Sequence, residues 1–346
     1  MSDRVTARLT NYRALPKVEL HRHLEGTLRL NTMLDIAQQH GITIPVDILR
    51  LSNLVQMQEE EKYSFQNFLS KFNTLRLFYR SPDVIHRITR EAIEDAAKDN
   101  VKYLELRFTP VALSRAERFP LHDVVDWVIT SAQEAAKEFG VIVRLIASVN
   151  RHESSELAEQ VAWVAAEHQD RGLIGMDLAG NEAEFKSEPF YSVFKEARQA
   201  GLHITIHAGE WGPAANVKEA IEELGAERIG HGVRVLEDDY ITQLAKERGI
   251  AFEVCVTSNF QSGVVPALES HPLNQMLDCG LNVTINTDEP SISRITLSHE
   301  YHVVCDDLGV PMGTLKERIV AAAQAAFLPE KERRELVGQL KKDLKL

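Results

Sequence analysis

Residues 203–233 read HITIHAGEWGPAANVKEAIEELGAERIGHGV, in which a strand pattern, a helix pattern and a second strand pattern follow one another. The runs 203–209 and 228–233 are short and apolar, as buried strands are. The intervening run 216–225 is amphipathic and ends at Gly225, the type of residue that often closes a helix. Repeated units of this kind build a parallel sheet that is covered by helices.

The same alternation of strand and helix patterns continues through the whole chain. Strand patterns occur eight times, at 17–24, 101–109, 141–149, 173–180, 203–209, 228–233, 251–259 and 282–288. Helical patterns lie between most of them, for example at 83–100, 121–140, 154–172 and 216–225. This count predicts a closed α/β fold, the (β/α)8 or TIM barrel, as a single domain over residues 1–346. An open, doubly wound sheet is the alternative, but the sequence has no glycine-rich dinucleotide fingerprint.

The interval between the first two strand patterns is unusually long, at about 75 residues. It contains two helical patterns with apolar faces, TLRLNTMLDIAQQHG (27–41) and YSFQNFLSKFNTLRLF (63–78). Loops that follow barrel strands form the active-site face, so these additional helices are predicted to be a lid over that face. A packed structural insertion is the alternative. Further helices are expected at the C-terminus.

Composition narrows the class of protein. The chain has 346 residues, of which 44% are hydrophobic and 26% charged, and this balance is ordinary for a globular protein. Its net charge of −12 disfavours binding to nucleic acid or to an anionic membrane surface, so the expected partner is a small molecule. Three scattered cysteines give no disulfide framework, and the polar N-terminus has no signal core. A soluble, cytoplasmic protein is the expectation.

A metal site is predicted from the residues at the strand ends. In VELHRHLEG (18–26) two histidines share one face of a strand because side chains two positions apart point the same way. The strand patterns at 203–209, 228–233 and 282–288 offer further candidates at the same end, where barrel enzymes place their chemistry. The candidates collected there are His21, His23, His207, His231 and Asp288. Nitrogen ligands with one carboxylate suit Zn²⁺ and also accept Fe²⁺, Co²⁺ or Mn²⁺. His203 lies about 13 Å from His207 along its strand and cannot reach the same ion.

Seven segments together carry a resemblance to a known family, in order and along nearly the whole chain. They are PKVELHRHLEGTLR, GMDLAGNE, ITIHAGE, ERIGHGVRVLED, CVTSNFQSG, HPL and VTINTDEP. The chain resembles the adenosine deaminase branch of the metal-dependent amidohydrolases. That resemblance implies hydrolytic deamination of adenosine and 2′-deoxyadenosine to inosine and 2′-deoxyinosine, with release of ammonia, in purine salvage.

The resemblance also implies roles for the candidate residues. A single Zn²⁺ would be bound by His21, His23, His207 and Asp288 and would activate water for attack on the purine. Glu210 is similar to the family's proton donor to the ring nitrogen, although a carboxylate at a helix N-terminus is the structural alternative. His231 looks like the family's base or electrostatic partner for the attacking water, and Asp288 would share that proton.

Three further positions correspond to the family's substrate contacts, and two of them carry a different residue. Besides His23, Gly180 matches a glycine whose N–H meets the purine, and Asp177 is either an anchor for that loop or structural. Glu25 and Glu289 stand where the family commonly has aspartate. One extra methylene shifts each carboxylate, so the substrate stays open. The alternatives are free adenine or a 5′-modified adenosine such as 5′-deoxyadenosine, methylthioadenosine or aminodeoxyfutalosine.

Two other classes of function are weighed against a deaminase. A two-metal barrel hydrolase often uses a carboxylated lysine at the end of strand four, where this chain has Asp-Leu-Ala-Gly. A non-catalytic nucleoside-binding protein would be expected to lose a ligand or the acid, whereas the whole set is present here. The sequence leaves the oligomeric state open.

Overall fold

The computed structural model describes residues 3–45 and 47–346, and its strands form one parallel sheet that runs in chain order. The strands are β1 Lys17–His23, β2 Val101–Phe108, β3 Ile142–Asn150, β4 Leu173–Ala179, β5 His203–Ala208, β6 Arg228–His231, β7 Ala251–Val254 and β8 Asn282–Ile285. Asp288, which follows β8, joins the last strand to the first and so closes the barrel. Its N–H donates to the carbonyl oxygen of His21, and its carbonyl oxygen accepts from the N–H of His23, both over 2.9 Å. The predicted (β/α)8 barrel is therefore confirmed.

Helices cover the outside of the barrel and extend its two ends. They are α1 Asp3–Ala14, α2 Leu30–His40, α3 Ile48–Val55, α4 Phe65–Ser70, α5 Phe72–Leu75, α6 Pro82–Lys98, α7 Pro110–Arg115, α8 Leu121–Phe139, α9 Ser155–Glu167, α10 Tyr191–Gln199, α11 Ala214–Glu222, α12 Asp239–Glu247, α13 Val256–Gln261, α14 Leu273–Asp278, α15 Pro290–Ser293, α16 Leu297–His302, α17 Met312–Ala325 and α18 Glu330–Leu344. The helix ends follow local chemistry. Ser81 caps α6 through its side chain, with Pro82 at the first helical position, and α8 closes at Gly140 in a left-handed conformation.

Most strand residues are buried on both faces, as expected where helices cover a parallel sheet. The barrel interior below the strand ends is nevertheless charged. Arg107 donates to Glu253 over 2.7 Å, and Arg228 donates to Glu253 over 2.6 Å and also to Glu105. All four side chains are fully or almost fully buried. Each buried charge lies beside an opposite charge of this network, which offsets the cost of removing it from water. This network forms the floor beneath the candidate site.

Two local predictions were wrong in detail. The strand pattern 251–259 ends early, because the chain turns into α13 after Val254 and the N–H of Thr257 is accepted by the Glu300 carboxylate. The segment 63–78 was predicted as one helical pattern and forms the two short helices α4 and α5, which meet at Lys71. Within the described residues, no helix is long and apolar enough to span a bilayer.

Candidate active site

The ends of β1, β5 and β8 bring the four predicted metal ligands together. His21 Nε2 lies 3.2 Å from Asp288 Oδ1, and His23 Nε2 lies 3.4 Å from the same oxygen. His23 Nε2 also lies 3.3 Å from His207 Nε2. All four residues are buried. The ligand atom of His207 also lies within 4.8 Å of those of His21 and Asp288, so the structure brings imidazole nitrogens close to the Asp288 carboxylate.

Two buried carboxylates determine which nitrogen each of two histidines presents. Glu253 Oε2 lies 2.8 Å from His21 Nδ1, and Asp177 Oδ1 lies 2.9 Å from His207 Nδ1. Burial alone would raise the pKa of Asp177, but His207 and Arg107 hold it well below its usual range. An ionised carboxylate accepts the Nδ1 proton, so the Nε2 lone pair of each ring is free to bind a metal.

The donor set fits a metal ion. His21 Nε2 is fully buried and has no hydrogen-bond partner, although it faces Asp288 Oδ1. An unpaired buried ring nitrogen is costly, and a cation at this position would satisfy it. Ligand atoms of His21, His207, His231 and Asp288 all lie within 4.8 Å of one another, whereas His23 groups with His207 and with Asp288 but not with His21, so distances alone favour His231 over its competitor His23.

Glu210 lies beside this cluster, at the start of the loop after β5. Its Oε2 is 3.7 Å from His231 Nε2, and the side chain is buried. Burial, followed by the charges of Asp288 and Glu182, raises the pKa of Glu210 well above its usual value. A raised pKa favours the protonated carboxyl, which is the state that a proton donor requires.

The loop that carries Glu210 is fastened by Glu182. The Glu182 Oε2 atom accepts from the N–H groups of residues 210–212 over 2.9–3.0 Å. Its Oε1 accepts from Gly209 N–H over 2.7 Å and from Asn216 Nδ2 over 2.8 Å. Five donors on one buried carboxylate fix the backbone of the loop that carries Glu210.

The sequence segment TSN at 257–259 holds the two residues on the far side of the cluster. Ser258 donates to Asp288 Oδ2 over 2.7 Å, and Asn259 Nδ2 lies 3.1 Å from His231 Nδ1. His231 and Asp288 both have positive φ angles, 59° and 67°, which residues other than glycine rarely adopt. Such backbone strain occurs mainly at functional sites, and here these contacts maintain it.

Three positions that the resemblance assigns to substrate line the cavity above the cluster. Gly180 has φ of 93°, and a Cβ there would lie 3.2 Å from Asn150 Oδ1, so a side chain would be crowded. Glu25 Oε1 accepts from Thr109 N–H over 2.6 Å, whereas Oε2 has no partner. Glu289 packs where a Cβ on Gly26 would stand, and its Oε2 also has no partner. Burial raises the pKa of both glutamates.

The cavity above the cluster has a volume of about 540 Å³. The helices α4 and α5 of the first insertion form part of its wall through Phe65, Phe68 and Phe72. Phe65 also meets Trp211 of the Glu210 loop, with ring centroids 5.6 Å apart. The insertion therefore lies over the strand ends, as a lid would, and its apolar side chains face the cavity.

Sequence reasoning missed several residues that support the site. The sequence patterns assign no role to Glu253, Glu182 or Arg107. A lone acidic residue inside the apolar run AFEVCV was a usable signal, because a buried carboxylate needs a partner. His203 is half-exposed and stacks on Phe327, in agreement with the prediction that it lies away from the ion.

The sequence matches one protein family over most of its length. The family model described as adenosine deaminase matches residues 16–343. An adenosine deaminase of Vibrio parahaemolyticus is 36% identical over 328 residues, which cover 94% of this chain and 98% of that protein.

Solved structures with the same fold belong to enzymes with different substrates. An adenine deaminase from Arthrobacter aurescens superposes with a TM-score of 0.88 at 27% identity, covering 96% of this chain and 100% of that one. An amidohydrolase from Burkholderia ambifaria with bound Zn gives 0.89 at 26% identity, with 97% and 92% covered. An Arabidopsis N6-mAMP deaminase gives 0.85 at 26% identity, with 96% and 99% covered.

Proposed function

The chain belongs to the adenosine deaminase family, hydrolases that act on C–N bonds of cyclic amidines, and from this we propose its substrate and its metal. The proposed reaction is hydrolysis of adenosine and 2′-deoxyadenosine to inosine and 2′-deoxyinosine plus ammonia, with Zn²⁺. The observation that carries the proposal is Glu210, a buried carboxyl with a raised pKa beside a donor set that fits a metal.

We assign the metal to His21, His23, His207 and Asp288. When bound, Zn²⁺ lowers the pKa of water towards about 7 and so supplies hydroxide near neutral pH. Glu253 and Asp177 keep the two ring nitrogens unprotonated on the side that faces the ion. Ser258 donates a hydrogen bond to Asp288 Oδ2, and the other oxygen, Oδ1, faces His21 and His23.

Glu210 and His231 do the proton chemistry in this proposal. Glu210 gives its proton to the ring nitrogen beside the amino-bearing carbon, because that nitrogen becomes basic when the ring loses aromaticity. His231 or Asp288 takes or shares the proton of the attacking water. The amino group takes the proton held by His231 or Asp288 and leaves as ammonia. The hydroxyl proton returns to Glu210 as the carbonyl forms, and the ring becomes hypoxanthine. Gly180 N–H and Glu289 bind opposite edges of the purine, and Glu25 binds the sugar side.

A substrate panel tests the proposal. The zinc-loaded protein is incubated with adenosine, 2′-deoxyadenosine, 5′-deoxyadenosine, methylthioadenosine, aminodeoxyfutalosine and adenine, and kcat/KM is obtained from ammonia release. Adenosine and 2′-deoxyadenosine should be turned over most efficiently. Preference for adenine or for a 5′-modified nucleoside would reject the substrate and keep the chemistry. Glu25→Asp supplies a second check, since it should change the ratio of adenosine to 5′-deoxyadenosine turnover if Glu25 contacts the 5′ position.

A second candidate substrate class is an adenosine that carries an anionic group at the 5′ position. Arg76 supports this class, because a cationic side chain suits an anionic substituent. Among the described residues that line the cavity, it is the one lysine or arginine. No ion pair of its guanidinium occurs within residues 3–45 and 47–346. Burial raises the pKa of Glu25, and the positive charge of Arg76 acts against that shift, so the two groups are close enough to interact.

Comparing adenosine with AMP and aminodeoxyfutalosine in Arg76→Gln distinguishes the two classes. If an anionic substituent is bound, the variant should lose about tenfold or more in kcat/KM for the anionic substrate and little for adenosine, because a charged hydrogen bond contributes about 1.5–3 kcal/mol. Arg80→Gln is the matched control, since Arg80 pairs with Glu117 at the surface. Equal losses on all substrates would reject the anionic class.

A further inference from the structure

A chain of hydrogen bonds connects the backbone of α14 to the His231 ring beneath the cavity. The N–H of Leu273 donates to His271 Nδ1 over 3.1 Å. His271 Nε2 lies 3.3 Å from Asn259 Oδ1, and Asn259 Nδ2 lies 3.1 Å from His231 Nδ1. The three side chains are buried, so water does not compete for these contacts.

The N–H of Leu273 fixes the direction of every hydrogen bond in this series, because an amide N–H can only donate. His271 Nδ1 must accept, and a neutral imidazole that accepts at Nδ1 carries its proton at Nε2. Burial lowers the pKa of His271 to about 3, which keeps the ring neutral. His271 Nε2 therefore donates to Asn259 Oδ1, and the amide turns its NH2 group towards His231 Nδ1.

We propose that His271 and Asn259 are positioning residues that hold the proton of His231 on Nε2, so that His231 donates a hydrogen bond to the attacking oxygen and Asp288 takes its proton. This inference rests on the proposed function. His231 Nε2–H is left for a group in the cavity, since Glu210 Oε2 at 3.7 Å is too far for a direct hydrogen bond. A protonated Nε2 also cannot bind a metal. His231 is thereby removed from the competing ligand set, and His23 completes it.

Nitrogen NMR of the zinc-loaded, full-length protein with ¹⁵N-labelled histidine measures the tautomer directly. The His231 signals are assigned by their loss in His231→Gln. In the wild type, Nε2 should show the shift of a protonated nitrogen and Nδ1 that of an unprotonated one. Asn259→Asp replaces the donor by an acceptor and should reverse the two shifts. Asn274→Asp is the matched control, because the Asn274 side chain donates to Leu308 O at the surface and takes no part in the hydrogen bonds between Leu273 and His231.

Kinetics on the same proteins give a second readout. Asn259→Asp should lower kcat by about 10²-fold with a smaller change in KM, because a donor to the attacking oxygen is lost, whereas Asn274→Asp should match the wild type. A wild-type His231 with its proton on Nδ1 would overturn the proposal, as would an Asn259→Asp protein with unchanged shifts and kcat. If the wild type releases no ammonia from any 6-aminopurine, the proposed function fails, while the ring shifts still decide the tautomer.

Discussion

Replacing Glu182 by glutamine tests how the loop that carries Glu210 is held. A carboxylate accepts at both oxygens, but glutamine has one acceptor and one donor group. In its least costly orientation, glutamine keeps its oxygen towards the N–H groups of residues 210–212 and turns Nε2 towards Gly209 and Asn216. The Asn216 amide can rotate to accept from Nε2, but the Gly209 N–H cannot, so one buried donor loses its partner.

The size of the effect follows from this count. An unpaired buried N–H costs about 1–3 kcal/mol, and exchanging three charge-assisted hydrogen bonds for neutral ones costs about 1 kcal/mol each. The free energy of unfolding of Glu182→Gln should therefore fall by about 4–6 kcal/mol. Glu210 would also lose its fixed position, and a displacement of about 1 Å at a reacting group can cost about 10²-fold in rate. We expect a lower kcat with a smaller change in KM.

Urea unfolding and steady-state ammonia release measure both consequences. Glu222→Gln is the control, because Glu222 pairs with Lys218 on the surface of α11, where such a pair contributes about 0–1 kcal/mol. If Glu182→Gln unfolds at the wild-type urea concentration and retains the wild-type kcat, the carboxylate does not anchor the loop and this reasoning is refuted.

Three other outcomes are expected. Glu210→Gln should reduce kcat by about 10²-fold or more while its zinc content stays equal to that of the wild type, and persisting turnover would reject Glu210 as the proton donor. Removing metal with a chelator should abolish turnover and lower Tm, with recovery on adding Zn²⁺; a Tm insensitive to the metal would contradict the assigned ligands. Burial raises the pKa of Glu300 to about 7 from 4.5, so the folded state favours the protonated form, and that contribution is lost as pH rises through 7. Between pH 4.5 and 8 the wild type should lose about 3 kcal/mol of unfolding free energy relative to Glu300→Gln, and parallel pH profiles would disprove it.

The barrel was predictable because its signal repeats. Each strand of a covered parallel sheet is a short apolar run, and eight such runs separated by helical patterns leave few alternative topologies. Boundaries were less predictable where a tertiary contact decides them. The β-branched pair at 256–257 favours strand on propensity, but Glu300, more than 40 residues later, accepts the Thr257 N–H and supports the first turn of α13.

The candidate site was likewise predictable in part. Strand parity predicted that His21 and His23 share a face, and position at the strand ends of a barrel predicted that His207, His231 and Asp288 lie near them. The carboxylates that orient the rings could not be paired from sequence, since Glu253 meets His21 across the barrel and Asp177 meets His207 from the neighbouring strand. The choice between His23 and His231 as ligand depends on which atom carries a proton, and only the hydrogen-bond chain through Asn259 indicates it.

The seam where β8 meets β1 has a consequence for how the protein is made. Asp288 bonds to the backbone of His21 and His23, so the residues that close the barrel come from opposite ends of the chain. On the ribosome, the first strand emerges long before the last, and the set of metal donors stays incomplete until Asp288 has been synthesised. A chain that ends before Asp288 therefore lacks one of the proposed metal donors and also the contacts that close the barrel on β1. A complete donor set thus requires a closed barrel.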